Sequence, residues 1–264
     1  MIAPPGASGN FSLPLHSMFD TKRLSFAIAA RSGLRLAAVL LLLIGAAMPA
    51  RAASNDELLR GFNLTVFGAE FAPFGIQSRY IRKFNGPVRF NIINLAKRDR
   101  TDTVAQFIRS LNGSVHGLRT STTRNPSAAN FNVYVVDQAD YVKVAREQVY
   151  KRSTARVPGK CLVRSVFSRN GIIRSDAVVV SDGGEALFKR CMIEEILQGL
   201  GPLNEHPSLK ESMFNDRSRH TSFTRFDRII LNMLYDRRIR NGASIGSVQE
   251  ILPAVLADVK RRVP

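Results

Sequence analysis

An apolar run bounded by basic and small residues sets the terms on which this chain can fold. Arg31 and Arg35 precede Leu36 to Met48 (LAAVLLLLIGAAM), and Pro49 leads into Ala50, Arg51 and Ala52. A charged region, a short apolar core and a small-x-small site are the three parts of a secretory leader. The run falls short of the roughly 20 apolar residues that a membrane span requires. No later stretch approaches that length. The expectation is a leader over residues 1–52, cleaved near Ala52, with a secreted or periplasmic product and no transmembrane helix in the mature chain. An uncleaved N-terminal anchor is the alternative.

Export changes the meaning of the two cysteines, Cys161 and Cys191. In an oxidising compartment an even count reads as a disulfide. A bridge between them would close a loop of about 30 residues, and their spacing does not fit a zinc cluster. The 212 residues after Ala52 suit one domain with a sizeable core. The leader holds five of the 38 basic residues and one of the 21 acidic ones. The mature part therefore keeps 33 against 20, a net charge of +13. Such a surplus favours anionic envelope components such as lipid head groups, lipopolysaccharide or polyphosphate as partners, with a protein partner as the other expectation. It would also suit nucleic acid, but no nucleic-acid module is present.

Residues 53–75 read as a lead-in segment and 76–264 as the domain. Tyr80 to Asn94 alternates around Asn85, Gly86 and Pro87, predicting a strand or hairpin. Val104, Phe107, Ile108 and Leu111 have helical spacing, with Thr101 or Asp102 as cap. A polar turn region covers 118–130, a strand Phe131 to Val136, and a helix Ala139 to Tyr150. Leu162 to Phe167 and Ile172 to Ser181 flank Asn170 and Gly171, a strong hairpin signal. Asp182 and Glu185 then fit a capping box for a helix reaching about Leu200, stopped by Gly201 and Pro202. Two more helices are predicted, Arg225 to Tyr235 and Ser247 to Lys260, the second with Ser247 and Glu250 as its box. Mixed strands and helices followed by helices alone give an α+β class.

The helix after the hairpin is the informative one. Phe188, Met192, Ile193, Ile196, Leu197 and Leu200 form an apolar arc, and Glu194, Glu195 and Gln198 share the opposite half with Leu187 and Cys191. Glu194 and Gln198 lie one turn apart on one face. An ordinary solvated face is one reading of these three side chains.

The other reading is a resemblance. Metzincin-type zinc peptidases carry H-E-x-x-H-x-x-G-x-x-H on a helix and the turn that follows. On that pattern Glu194 stands at the first ligand, Glu195 at the catalytic glutamate, Gln198 at the second ligand and Asn204 at the third, with Gly201 on the turn glycine. Thr224, Asp227, Leu234 and Tyr235 resemble the start of the C-terminal helix of matrix-metallopeptidase-like domains. The stretch from Cys191 to about Gly242 also resembles an uncharacterised secreted proteobacterial family, domain of unknown function twenty-nine twenty-seven. It shares with that family an E-E-x-x-Q-x-L-G helix and an L-Y-D segment. The resemblance implies a zincin-like mixed sheet, with Glu195 as a general base and a metal near Glu194, Gln198 and Asn204.

All three histidine positions are replaced, however, and zinc prefers imidazole and thiolate. Amide and carboxylate oxygens suit calcium, magnesium or manganese better. His116, His206 and His220, the histidines of the mature part, do not fall at ligand spacing from Glu195. The expectation is therefore a degenerate peptidase scaffold without cofactor that binds a partner at the envelope, with an atypical metal-dependent hydrolase as the alternative. Gly242, Ser244 and Gly246 match the hydrolase elbow G-x-S-x-G, but no strand precedes them and no histidine follows. Arg237, Arg238 and Arg240 form a basic cluster beside Asp236, with a solvated loop as its plainest reading.

Overall fold

A computed structural model describes residues 53–67 and 80–264; the expected leader and its cleavage site lie outside them. Five strands form one sheet: β1 (Val88–Asn94), β2 (Thr120–Thr122), β3 (Phe131–Val136), β4 (Leu162–Ser168) and β5 (Gly171–Val180). Their order is β2-β1-β3-β5-β4. The first four strands in that order run parallel, and β4 is antiparallel at the edge. The class is mixed α+β, as expected.

Alternation along the strands divides the side chains between two faces. Phe90, Phe131, Val133, Val135, Ala177 and Val179 enter the main core. Phe90 and Phe131 stack there at 4.5 Å between ring centroids. Tyr134, Val136, Val178 and Val180 enter a smaller core on the other side. That face is covered by α3 (Tyr141–Val144), which runs on as a π-helical segment to Tyr150.

The main core receives α1 (Asn55–Val66), α2 (Thr101–Ser114), α4 (Glu185–Gln198), α5 (Arg225–Leu234) and α7 (Leu252–Arg262). Part of the segment expected as a lead-in is in fact α1. Its Leu58, Phe62 and Val66, spaced by four residues, are fully buried. Ser54 and Glu57 form a reciprocal capping box at its start. A side chain at Gly61 would collide with the ring of Phe226, so α1 lies close against α5.

Other expectations are corrected by where polar groups find partners. Tyr80 to Asn94 is not a hairpin. Asn85 and Gly86 form a bend, and β1 begins after Pro87, which has no N–H to give a ladder. Both neighbours of β1 are parallel strands, and β2 itself lies inside the expected turn region. The N-terminal N–H of α2 is taken by Asp99, which accepts from Thr101 at 2.8 Å, and not by Thr101 or Asp102. The Asp182 and Glu185 box does not form. Asp182 accepts from the Gln138 N–H, Glu185 pairs with Arg100 at 2.8 Å, and Gly184 begins α4 with a positive φ. The last predicted helix is two, α6 (Ile245–Gln249) and α7, divided near Pro253, and α6 is capped by Ser244 and not by Ser247.

Candidate functional site

Helix α4 has no solvated face through its centre. Every residue from Cys191 to Gln198 is buried, with Glu194 at 3 %, Glu195 at 5 % and Gln198 at 4 % exposure. The surface-helix reading of these side chains is thereby ruled out. They line a cleft of about 400 Å³ together with Lys160, Arg190, Glu205 and Asp216.

One wall of the cleft is the chain from Pro158 to Val163. The Cys161–Cys191 disulfide ties this wall to α4 across 5.7 Å between Cα atoms, as the cysteine count predicted. The Tyr141 hydroxyl secures it from behind by donating to the Pro158 carbonyl at 2.6 Å. Burial, reinforced by the negative charge of Glu195, holds the Tyr141 phenol above its ordinary range.

The opposite wall is the long loop between α4 and α5. Asp227, fully buried in the first turn of α5, accepts from the Ser212 hydroxyl at 2.5 Å, the Met213 N–H at 2.9 Å and the Thr224 hydroxyl at 2.7 Å. Burial pushes its carboxyl up to about 6 against these hydrogen bonds. The Thr224 and Asp227 pair that resembled a peptidase helix start is thus a cap and loop anchor. It fixes the segment bearing Glu205 and Asp216.

Within the cleft, Arg190 grips both oxygens of Glu194, Nε to Oε2 and Nη2 to Oε1, each at 3.1 Å. The same guanidinium donates to the carbonyls of Asn215 and Ser218. Gln198 Nε2 donates to Glu205 Oε1 at 2.6 Å. Burial pushes the Glu194 carboxyl up to about 7, while Arg190 and a hydrogen bond with Glu205 act in the other direction. Carboxylate oxygens of Glu194, Glu205 and Asp216 lie within 4.8 Å of one another.

Of the four residues singled out in the sequence, Glu194, Glu195 and Gln198 come together and Asn204 does not. Asn204 Nδ2 donates to the Leu64 carbonyl at 2.8 Å, which ties the turn after α4 to α1. Gly201 makes that turn with φ +145°, where an added Cβ would lie 2.6 Å from the Arg82 carbonyl oxygen. Glu205, one residue on from the expected ligand, joins the three instead. Arg190 was legible as an i, i+4 partner of Glu194. Asp216 had no local signal, since only the loop path brings it back.

These residues do not fit the zinc of the resembled peptidases. The third-ligand position faces elsewhere, and both oxygens of the first are held by an arginine. Cys161, near Glu194 and Glu195, has its sulfur in the disulfide. His206 is bonded to Ser208 and His220 to Lys210, both outside the cleft. Nor does the lining suit the anionic ligand expected from net charge, because four carboxyl groups face Arg190 and Lys160. Ser244 of the G-x-S-x-G match caps α6 and has no part in this cleft.

No helix among the described residues is long and apolar enough to cross a membrane. Searches of curated proteins and of solved structures find no match. A family profile does match, over residues 55–254, through α1, the sheet, the α4 cleft and α5 into the start of α7, and the chain belongs to the family described as protein of unknown function (DUF2927).

Proposed function

We propose that this is an exported, non-catalytic binding protein of the cell envelope whose α4 cleft takes a cationic group, such as a lysine or arginine side chain of a protein partner. The observation behind this reading is the buried trio Glu194, Glu195 and Gln198 on α4, faced by the half-buried Glu205 and the exposed Asp216 from the loop, in a cleft of about 400 Å³. A cationic head satisfies carboxylate oxygens without displacing Arg190, and the surrounding low dielectric strengthens each charge-assisted hydrogen bond. The zincin-related ancestry suggested by the helix would then survive as a cleft adapted to holding a peptide rather than cutting it. The disulfide is compatible with an exported chain.

The test is calorimetric titration of residues 53–264 with an arginine-containing tripeptide. Saturable binding that weakens at least tenfold in Glu205→Gln is expected. Absence of binding, or the same affinity in the variant, would overturn the reading.

One observation favours a second reading. Three carboxyl groups within 4.8 Å make a plausible seat for a hard divalent cation, with Glu195 as a general base in a hydrolase. Elemental analysis of protein purified without chelator separates the two. About one equivalent of manganese or calcium, lost in Asp216→Asn, would favour the hydrolase.

A further inference from the structure

We infer that the groove between the ends of α5 and α7 binds a phosphate-bearing anion, at a site separate from the α4 cleft. The groove encloses about 570 Å³ over the buried ring of Tyr235. Arg237 and Arg238 enter it from the chain after α5, and Arg261 and Arg262 from the last turn of α7. His116 joins them from the turn after α2.

Two aspartates hold this group in place without neutralising it. Asp236 receives Arg238 through both oxygens, at 2.8 and 2.9 Å, and Arg262 at 3.5 Å. Asp258 receives Arg238 at 2.9 Å, and also Arg261. Four arginines against two acids leave a cationic excess, and Arg237 has no ion pair among the described residues. Guanidinium groups fixed in this way present planar forks suited to phosphate oxygens.

A smaller cavity of about 90 Å³ shares His116 and Arg262 with the groove and is also lined by Arg228. The Arg228 Nε–H is buried and meets no acceptor among the described residues. A donor in that condition is costly unless an acceptor arrives.

Basic residues near helix C-termini often serve the helix dipole alone. That explanation covers Arg261 and Arg262. It does not cover Arg228, which lies in the N-terminal half of α5, or His116 beyond the end of α2. At the end of α5 the need is already met from below, where Lys83 Nζ donates to the carbonyls of Leu234 at 2.7 Å and Asp236 at 3.0 Å. Arg237 is therefore left for another task.

Phosphate chemistry can come from a lipid headgroup or from a free phosphorylated solute. The experiment uses residues 53–264 in 0.15 M salt, with pyrophosphate by calorimetry and with phosphatidylcholine vesicles containing phosphatidylglycerol by co-sedimentation. The parent is compared with Arg237→Ala/Arg262→Ala and with Lys151→Ala/Arg152→Ala, which removes the same charge elsewhere. At least tenfold weaker binding in the groove variant alone is expected. Saturable pyrophosphate binding would identify a free phosphate. Vesicle binding that pyrophosphate does not displace would identify the headgroup. Equal losses in the two variants, or no binding to either probe, would overturn the inference, because net charge alone would then account for any attraction. Arg237 has no ion pair among the described residues that the fold needs, so Arg237→Glu serves as a second variant, with an unchanged melting curve as its control. Failure of the cationic peptide to bind the α4 cleft would leave this result unaffected.

Discussion

In the second half of α4 the charged side chains are inside: Glu194 has 4 % and its partner Arg190 17 % side-chain exposure. In the groove between α5 and α7 the arginines are outside, with Arg238 at 37 % over an Asp236 at 8 %. The first cleft is acidic within a chain of strongly positive net charge, and the second follows the sign of the whole. Net charge thus describes a surface, whereas a buried site takes its sign from a few groups that must satisfy one another. Burial also changes what each pair is worth. Losing one member of a desolvated pair exposes its partner to the full cost of an unpaired charge, and losing a member of a solvated pair does not.

The largest effect should come from the disulfide that closes the acidic cleft. Cys161→Ser with Cys191→Ser is expected to lower unfolding stability by about 3.5 kcal/mol on the loop-entropy scale, as read by urea denaturation. Binding at the arginine groove should not change. A parallel loss there would mean that the two regions are mechanically joined.

Next comes Arg190→Met. It leaves the buried Glu194 facing Glu205 and Asp216 without its cation and frees the loop carbonyls of Asn215 and Ser218, for an expected loss of about 3 kcal/mol. The matched change in the groove, Arg238→Met, should cost less, about 1 kcal/mol, because Arg238 is 37 % exposed and Asp236 keeps Arg262 as a partner. Similar losses in the two variants would remove the contrast.

The third effect is a pH dependence. Glu194 is pushed up to about 7 from an ordinary value of 4.5, so the folded protein binds its proton more tightly than the unfolded chain does. Stability should therefore fall as pH rises from about 4.5 to about 7 and level off above, a contribution of about 1.4 kcal/mol per pH unit at most. Glu194→Gln should flatten the curve between pH 6 and 7. Below 6 the slope should shrink to the share of Asp227, which is pushed up to about 6 by its own burial. Binding of a cationic tripeptide should strengthen through the same window as Glu194 ionises, with Arg190, Lys160, Glu195, Glu205 and Asp216 as the other charged groups facing it. A flat binding profile would place the ligand away from Glu194.

The legible part of the molecule was the part governed by local rules. Hydrophobic periodicity placed α2, α4 and α5, and Asn170 with Gly171 placed the β4–β5 hairpin. Cysteine parity gave the disulfide. Caps were less reliable, because Asp99, Asp182, Glu185 and Ser244 choose among several nearby donors, and packing decides which ones are within reach. Around Asn85, Gly86 and Pro87 the turn chemistry was real, but it serves a bend before a parallel strand. Strand partners separated by a helix leave no mark at the turn.

By itself the sequence determined that α4 would carry Glu194, Glu195 and Gln198 opposite an apolar arc, since helical geometry is local and follows from residue spacing. Tertiary structure decided that this second half would also be buried, because the disulfide-tied wall and the Asp227-anchored loop close over it. It turned Asn204 toward α1 and brought Glu205 and Asp216 into the cleft. It also gathered arginines from two helix ends into one groove. Those placements depend on contacts between residues distant in the chain, whose energies appear only once the core has fixed the path of the backbone between them.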